Sequence, residues 1–237
     1  MKILILLRHG QSTYNLTHRF TGWADAALTP LGQQQAAQAG LPLRQSGLKP
    51  QRAYSSCLLR AKQTLQAALA AASRTDIPVQ TDWRLNERHY GALQGLTREQ
   101  AAQQFGLSNV LAWRRTFRPA PPPAPDNSAA RLLVPATVTP PNGESLQAAQ
   151  TRALSFLNGV VFPAFSQADV QLLAAHEDLL RALAAHFKRL GESELENLVV
   201  PPAAPWVLEL DDAFYARRDR FLGDPAQIRR FLTKKPE

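Results

Sequence analysis

A short apolar run at the start of the chain ends directly on a cation, an imidazole and a glycine. Residues 3–7 have the sequence Ile-Leu-Ile-Leu-Leu and are followed by Arg8, His9 and Gly10. Such a run predicts a buried strand, and open α/β sheets bind ligands at the carboxyl ends of their strands. Gly10 allows a sharp turn and a close approach to a ligand, while the Arg8 fork suits phosphate oxygens. Taken alone, the tripeptide is equally compatible with an ordinary polar turn.

Strand and helix signals alternate along the rest of the chain. Thr29 and Pro30 are typical of a helix N-cap and a first helical position. Strands are predicted at residues 2–7, 53–56, 79–81, 170–175 and 207–210, and helices from about residues 30, 59, 97, 107, 143 and 179. This alternation favours a mostly parallel sheet with helices on both faces, which would bring His9 and His176 to one edge.

We therefore expect one three-layer α/β domain over residues 1–237. Residues 119–141 contain eight prolines and interrupt the pattern. Because strand and helix signals resume afterwards, this stretch is interpreted as an excursion or lid rather than a linker between domains. The C-terminal tip at residues 234–237 is expected to be mobile.

Composition narrows the class of protein. With 45% hydrophobic and 19% charged residues among 237, the chain fits a globular protein. No apolar run reaches the roughly 18 residues of a transmembrane helix, and the N-terminus lacks the pattern of a signal peptide. The single cysteine, Cys57, excludes an internal disulfide. These features together predict a cytoplasmic protein without a membrane association.

The formal charge of +8 comes mostly from arginine and is dispersed along the chain. A basic tract would favour nucleic acid, but here the arginines stand in separate segments. The pattern favours a pocket for a small anion over a stripe that follows a phosphate backbone.

Several segments form a specific pattern when they are taken in chain order. They are residues 7–12 (LRHGQS) with Asn15, residues 19–23 (RFTGW), Ser55-Ser56 with Arg60-Ala61, residues 84–95 (RLNERHYGALQG), Trp113-Arg114-Arg115, and Ala174-Ala175-His176 with residues 180–183 (LRAL). This set resembles the phosphoglycerate mutase family, and within the histidine phosphatase superfamily its 2,3-bisphosphoglycerate-dependent branch. The resemblance covers nearly the whole chain. It implies an isomerase that interconverts 3-phosphoglycerate and 2-phosphoglycerate, in glycolysis and gluconeogenesis, through a phosphohistidine primed by 2,3-bisphosphoglycerate.

The resemblance also implies roles for single residues, and their chemistry suits those roles. A neutral imidazole is a good nucleophile, and phosphoryl transfer needs mainly positioning and charge neutralisation. His9 would carry the phosphoryl group and Glu87 would take and return the substrate's hydroxyl proton. The remaining implied residues are Arg8, Arg60 and His176 around the phosphoryl group, Asn15, Thr21 and Gly22 as further donors, and Tyr90, Arg98, Arg114 and Arg115 at the distal end of the glycerate.

No metal is expected, because no histidine pair has the spacing of a helical zinc motif. His18, His89 and His186 are interpreted as surface or packing residues. The expected partner is a small phosphorylated substrate; nucleic acid is not expected, and a homo-oligomer stays open.

Two acidic residues depart from the family pattern. Glu177 and Asp178 stand where the family usually has Gly-Asn beside the phosphate. A like charge about 4 Å from a phosphate costs about 4 kcal/mol at an effective dielectric constant of about 20, so both carboxylates would weaken phosphate binding if they faced the pocket. Two alternatives therefore stay open: a histidine-dependent phosphatase of small phosphoesters, and a non-catalytic member that binds an anion or a partner.

Overall fold

A central six-stranded sheet organises the computed structural model, which describes residues 1–233. The predicted mobile tip at residues 234–237 lies outside the described residues. The strands are β1 (Lys2–Arg8), β2 (Arg52–Ser55), β3 (Val79–Thr81), β4 (Val170–Ala175), β5 (Trp206–Leu210) and β6 (Ala216–Phe221), in the sheet order β3-β2-β4-β1-β5-β6. The first four strands are mutually parallel, whereas β5 and β6 are antiparallel to their neighbours. The prediction of a mostly parallel sheet is confirmed.

Helices cover both faces of this sheet. They are α1 (Thr13–Leu16), α2 (Pro30–Gln45), α3 (Leu59–Ala71), α4 (Arg98–Phe105), α5 (Leu107–Arg115), α6 (Ser128–Arg131), α7 (Leu146–Phe156), α8 (Phe162–Ala164), α9 (Glu177–Lys188), α10 (Glu192–Asn197) and α11 (Pro225–Leu232), with a π-helical segment at Leu157–Val161 and 3₁₀ turns at Trp83–Leu85 and Gly91–Leu93. No helix in the described range is long and apolar enough to cross a membrane.

The side chains of β1 alternate between two hydrophobic cores. Leu4 and Leu6 pack with residues of α7 and α9, whereas Ile3, Ile5 and Leu7 pack with residues of α2 and α3. Because both faces of β1 are covered, every position of this run is apolar rather than every second one. This arrangement is the expected three-layer α/β domain.

The turn after β1 packs tightly against the start of α2. A Cβ atom on Gly10 would lie 2.3 Å from the carbonyl oxygen of Gly32, and a Cβ on Gly32 would lie 2.0 Å from the carbonyl oxygen of Gln11. The amide of Gly10 also donates to the hydroxyl of Thr64 on α3, at 3.1 Å. Two glycines thus let the backbone that carries His9 sit directly against two helices.

The proline-rich excursion returns to the same domain. The carbonyl of Pro122 accepts a 2.8 Å hydrogen bond from the amide of Ala92, and a side chain on Gly91, whose φ is positive, would collide with the same carbonyl. The excursion is therefore held against residues 91–93, shortly after Glu87. Apart from the short helix α6, it has no regular structure.

Two features of the C-terminal part were not predicted as strands or helices. Strand β6 has the sequence Ala-Arg-Arg-Asp-Arg-Phe, and its four central residues are exposed. An exposed edge strand shows no apolar alternation, so periodicity could not indicate it. Helix α11 has no buried residue and follows within a segment for which no helix was predicted.

Candidate active site

His9 lies at the carboxyl end of β1 and is held in one tautomer. Its Nδ1 is 2.7 Å from the carbonyl oxygen of Gly10. A carbonyl can only accept, so the contact assigns the proton to Nδ1 and leaves the lone pair on Nε2. The Nε–H of Arg60 donates to this Nε2 at 3.2 Å. Desolvation, followed by the charges of Arg60 and Arg8, holds the pKa of His9 well below its usual value. His9 is therefore a neutral imidazole with one nitrogen available to attack.

His176 lies beside His9 because β1 and β4 pair in parallel register. Arg8 is paired with Ala175, so the next residue of each strand leaves the sheet at the same edge. The two imidazole centroids are 5.2 Å apart. His176 Nε2 is 2.7 Å from the hydroxyl of Ser56, and its Nδ1 has no hydrogen-bond partner within residues 1–233. Desolvation, then the charges of Arg60 and His9, lowers the pKa of His176 well below its usual value.

Arg60, at the start of α3, is buried and uses all three of its nitrogens. Besides the bond to His9, it donates to the carbonyls of Ala24 at 2.9 Å and Gly22 at 2.8 Å. Desolvation lowers its pKa to about 10, so it remains charged at neutral pH. Its guanidinium group is thus fixed beside the nucleophilic nitrogen.

Glu87 lies at the N-terminus of α9, although it is far from that helix in the sequence. Its carboxylate accepts hydrogen bonds from the amides of Arg88 at 2.9 Å, Leu179 at 3.2 Å and Asp178 at 3.4 Å. Desolvation, and then the negative charge of Asp178, raises the pKa of Glu87 to about 7. A carboxyl group with that pKa can both accept and release a proton near neutral pH.

Asp178 points into the interior rather than into the pocket. Its carboxylate forms ion pairs with Arg88 at 2.7 Å and with Arg181 at 2.9 Å. It also accepts a hydrogen bond from the hydroxyl of Tyr90 at 2.5 Å. Burial alone would raise its pKa, but Arg88 and Arg181 outweigh burial and hold the pKa of Asp178 well below its usual range. The condition under which Asp178 would weaken phosphate binding is therefore not met, because two buried guanidinium groups draw its carboxylate inward.

Glu177 points the other way and lies 2.8 Å from an Nη of Arg8. Both side chains line a cavity of about 280 Å³ that also contains Asn15 and Arg98. The same cavity is lined by Gln11, His18, Arg19, Gln35, Pro202 and Phe231.

Arg114 and Arg115, at the end of α5, are close to the same acidic groups. Desolvation lowers the pKa of Arg114, and it lowers that of Arg115 to about 10, while the charges of Asp178 and Glu177 oppose both shifts. The guanidinium of Arg114 also lies 5.9 Å from the centroid of the Phe20 ring. Arg98, Arg114 and Arg115 thus form a group of three arginines close to Glu177.

Sequence comparison places this geometry in a family. A model of the histidine phosphatase superfamily, branch 1, matches residues 4–217. The chain belongs to this superfamily. Among its curated relatives, the 2,3-bisphosphoglycerate-dependent phosphoglycerate mutase of Parabacteroides distasonis is 40% identical over 98% of this chain and 96% of the relative. The 2,3-bisphosphoglycerate-dependent phosphoglycerate mutase 2 of Bacteroides thetaiotaomicron is 37% identical, again over 98% of this chain and 96% of the relative.

Solved structures of the superfamily share the fold. A mycobacterial glucosyl-3-phosphoglycerate phosphatase, complexed with VO₃, superposes with a TM-score of 0.71 at 29% identity, over 93% of this chain and 97% of that one. The α-ribazole phosphatase of Shigella flexneri gives a TM-score of 0.69 over 94% and 96% of the two chains. At 22% identity, it shows the fold alone.

The structure brings most of the predicted site residues together. The inner group consists of His9, His176, Arg60, Arg8 and Glu87, and the outer cavity contains Asn15 and Arg98. Thr21 does not line that cavity, and the carbonyl of Gly22 accepts a hydrogen bond from Arg60. The Tyr90 hydroxyl is engaged by Asp178 and Arg88. The catalytic and substrate-binding roles of all the predicted site residues stay predictions.

Other residues of the site were not given a role from the sequence. Ser56 orients His176, Thr64 holds the amide of Gly10, and Arg88 and Arg181 bind Asp178. Ser56, Arg88 and Arg181 stand inside motifs that carried the family resemblance, so their position was a signal. Within the described residues, no group of three or more His, Cys, Asp and Glu side chains could hold a metal ion.

Proposed function

We propose that this chain interconverts 3-phosphoglycerate and 2-phosphoglycerate through a phosphohistidine at His9, primed by 2,3-bisphosphoglycerate. The observation that carries the proposal is the neutral Nε2 of His9, buried and aligned with the guanidinium of Arg60. A nitrogen lone pair beside a fixed cation suits a phosphoryl acceptor, because the cation neutralises charge as the group arrives. The names of the relatives in Parabacteroides and Bacteroides agree with it.

His9 and Glu87 divide the chemistry between them. Nε2 of His9 takes the phosphoryl group, while its Nδ1–H stays on the Gly10 carbonyl. When the phosphoryl group passes from His9 to a substrate hydroxyl, Glu87 takes the hydroxyl proton. When the other phosphoryl group moves onto His9, Glu87 returns the proton to the oxygen that is left. A pKa of about 7 allows both directions.

The arginines divide the substrate between them. Arg60, Arg8 and His176 surround the transferring phosphoryl group, and Arg98, Arg114 and Arg115 provide a second group of cations for the other anionic end of the glycerate. Such a two-ended site suits a substrate that turns around and presents either oxygen to His9. We propose that the reaction takes place in the cytoplasm and that a metal and nucleic acid have no part in it.

Turnover and labelling test this proposal. The purified protein, given 3-phosphoglycerate and a catalytic amount of 2,3-bisphosphoglycerate, should form 2-phosphoglycerate and carry an acid-labile phosphoryl label. His9→Ala should lose both the label and the turnover. His186→Ala, which removes a histidine of α9 outside the site, should keep both. No turnover with or without primer would reject the mutase.

A phosphatase is the second candidate. It is favoured by the likeness to the glucosyl-3-phosphoglycerate phosphatase, at a TM-score of 0.71. Inorganic phosphate release should be measured across a panel of phosphoesters that includes glucosyl-3-phosphoglycerate. Release much faster than isomerisation would favour the phosphatase, and a stable label at His9 without either activity would favour neither. A protein that carries no label at all would fit the non-catalytic alternative.

A further inference from the structure

The guanidinium of Arg8 already contacts two oxygen acceptors of the protein. One Nη donates to the carbonyl of Val200 at 2.7 Å, and the other pairs with the carboxylate of Glu177 at 2.8 Å. Its Nε is buried and has no hydrogen-bond partner among residues 1–233. An anion that binds beside His9 can use this Nε, but at the second Nη it would lie next to the Glu177 carboxylate, and the two negative charges would repel each other.

The position of Glu177 is fixed by the fold. It is the first residue of α9, directly after His176, and a carboxylate is favoured at this end of a helix. Its neighbour Asp178 is turned into the buried group of Arg88 and Arg181. The two adjacent carboxylates therefore have separate environments, and only Glu177, 31% exposed, lines the cavity.

Glu177 also acts on the outer arginines. It shares the cavity with Arg98, and its negative charge opposes the lowered pKa values of Arg114 and Arg115. One carboxylate thus lies within reach of the cation beside His9 and of the cations that would hold the distal end of a ligand.

We propose that Glu177 is a specificity-determining residue that competes with anionic groups of the ligand for Arg8 and weights the site against ligands with two phosphate groups. A monophosphate can bind at Arg60 and the Arg8 Nε while Glu177 stays in place. A bisphosphate brings charge to both sides of Glu177, so repulsion rises with the charge of the ligand. The inference rests on the site proposed above but not on the turnover of any substrate.

Binding measurements on a charge-neutral variant test this role. Dissociation constants for inorganic phosphate, 3-phosphoglycerate and 2,3-bisphosphoglycerate should be measured by calorimetry for His9→Ala, which cannot accept a phosphoryl group, and for the same protein with Glu177→Gln added, at low and at high salt. We expect the variant to bind all three more tightly. The gain should be largest for the bisphosphate, about ten- to hundredfold at low salt, and smaller at high salt because of screening.

Glu192→Gln is the matched control, because it also removes one negative charge. Glu192 is the first residue of α10 and forms an exposed ion pair with Arg118. It should change no dissociation constant by more than about twofold. Unchanged or weaker binding by Glu177→Gln, or an equal gain for all three ligands, would overturn the proposal. Because binding is measured without turnover, a failure of the mutase assay would leave this result interpretable.

Discussion

Burial shifts the pKa values of His9 and Glu87 in opposite directions. His9 is the proposed phosphoryl carrier, and Glu87 is the proposed acid and base. Desolvation disfavours the charged form of each group, so it lowers the pKa of His9 and raises that of Glu87. Arg60 and Arg8 lower the pKa of His9 further, and Asp178 raises that of Glu87 further. The result is an uncharged nucleophile together with a carboxyl group that titrates near neutrality, which is how acid and base roles are divided at one pH.

Glu87 should make the protein less stable as the pH rises. Its pKa is about 7 in the folded chain against 4.5 without the fold, so the folded state binds more protons between these values. Stability contributed by the protonated form is therefore lost as the pH rises through about 7. In Glu87→Gln this loss disappears. Relative to the wild type, the variant should gain on the order of 2–3 kcal/mol in unfolding free energy between about pH 5 and about pH 8.

Urea unfolding at several pH values measures this difference, and the same variant should lose turnover by about 10²–10⁴-fold. Glu192→Gln, on an exposed pair, should follow the wild type at each pH. A difference between Glu87→Gln and wild type that is constant with pH would contradict the raised pKa.

At the level of elements, the register of β1 with β4 and the contact of the following turn with α2 and α3 position the nucleophile. The backbone of Gly10, Gln11 and Gly32 is packed so closely that a methyl group has no room. His9 is thus placed by neighbouring elements as much as by its own strand. Because Gly10 contacts Gly32 directly, a small displacement of α2 would also displace Gly10. The carbonyl of Gly10 fixes the tautomer of His9.

Gly32→Ala should disturb this contact. Its Cβ would lie 2.0 Å from the carbonyl oxygen of Gln11, so the turn or the helix must shift. We expect a loss of about 1–3 kcal/mol in unfolding free energy, as for an overpacked site, and a reduced rate of phosphoryl transfer to His9. Thermal unfolding and single-turnover labelling measure the two effects.

Gly159→Ala is the control for this change. Gly159 lies in the π-helical segment, and a Cβ there would meet no atom within 4 Å. Alanine should stabilise the protein by about 0.5–1 kcal/mol at this position without an effect on labelling. Equal behaviour of the two alanine variants would mean that the turn after β1 has more freedom than its contacts indicate.

The sequence predicted strands and helices mostly where their residues are buried on a regular face, although the short exposed strand β3 was predicted as well. The run before His9 and the run before His176 are apolar because the sheet is covered on both sides, so both histidines could be placed at strand ends. Strand β6 escaped prediction because its exposed edge shows no such pattern. The directions of Glu177 and Asp178 were not predictable either. They are neighbours at one helix end, and what separates them is Arg88, which lies 90 residues away in the chain.

At the scale of the whole molecule, positive charge predominates. Lysine and arginine number 27 against 19 aspartate and glutamate residues, and the cavity is lined by Arg8, Arg19 and Arg98. A cleft lined by one sign of charge raises the local concentration of ligands of the opposite sign. The long-range field and the cavity thus act in the same direction on an anionic substrate, with Glu177 as a local exception.

Salt should therefore slow the capture of substrate. The value of kcat/KM for 3-phosphoglycerate should fall several-fold to about tenfold between low and physiological ionic strength, while kcat at saturation changes little. Potassium chloride titration measures both, with sucrose added at constant salt as a control for viscosity. A kcat/KM value that does not depend on salt would show that the net charge has no part in capture.

The position of β1 between β4 and β5 in the sheet has a consequence for folding during synthesis on the ribosome. The first strand to be synthesised pairs with residues 170–175 and 206–210. At a synthesis rate of about 5–20 residues per second, its two partners emerge roughly ten to forty seconds later. During that interval the apolar segment at residues 3–7 has no partner strand with which to form a sheet. We therefore expect β1 to join the sheet only after residues 170–175 have been synthesised, so formation of the sheet is a late event in the synthesis of the chain.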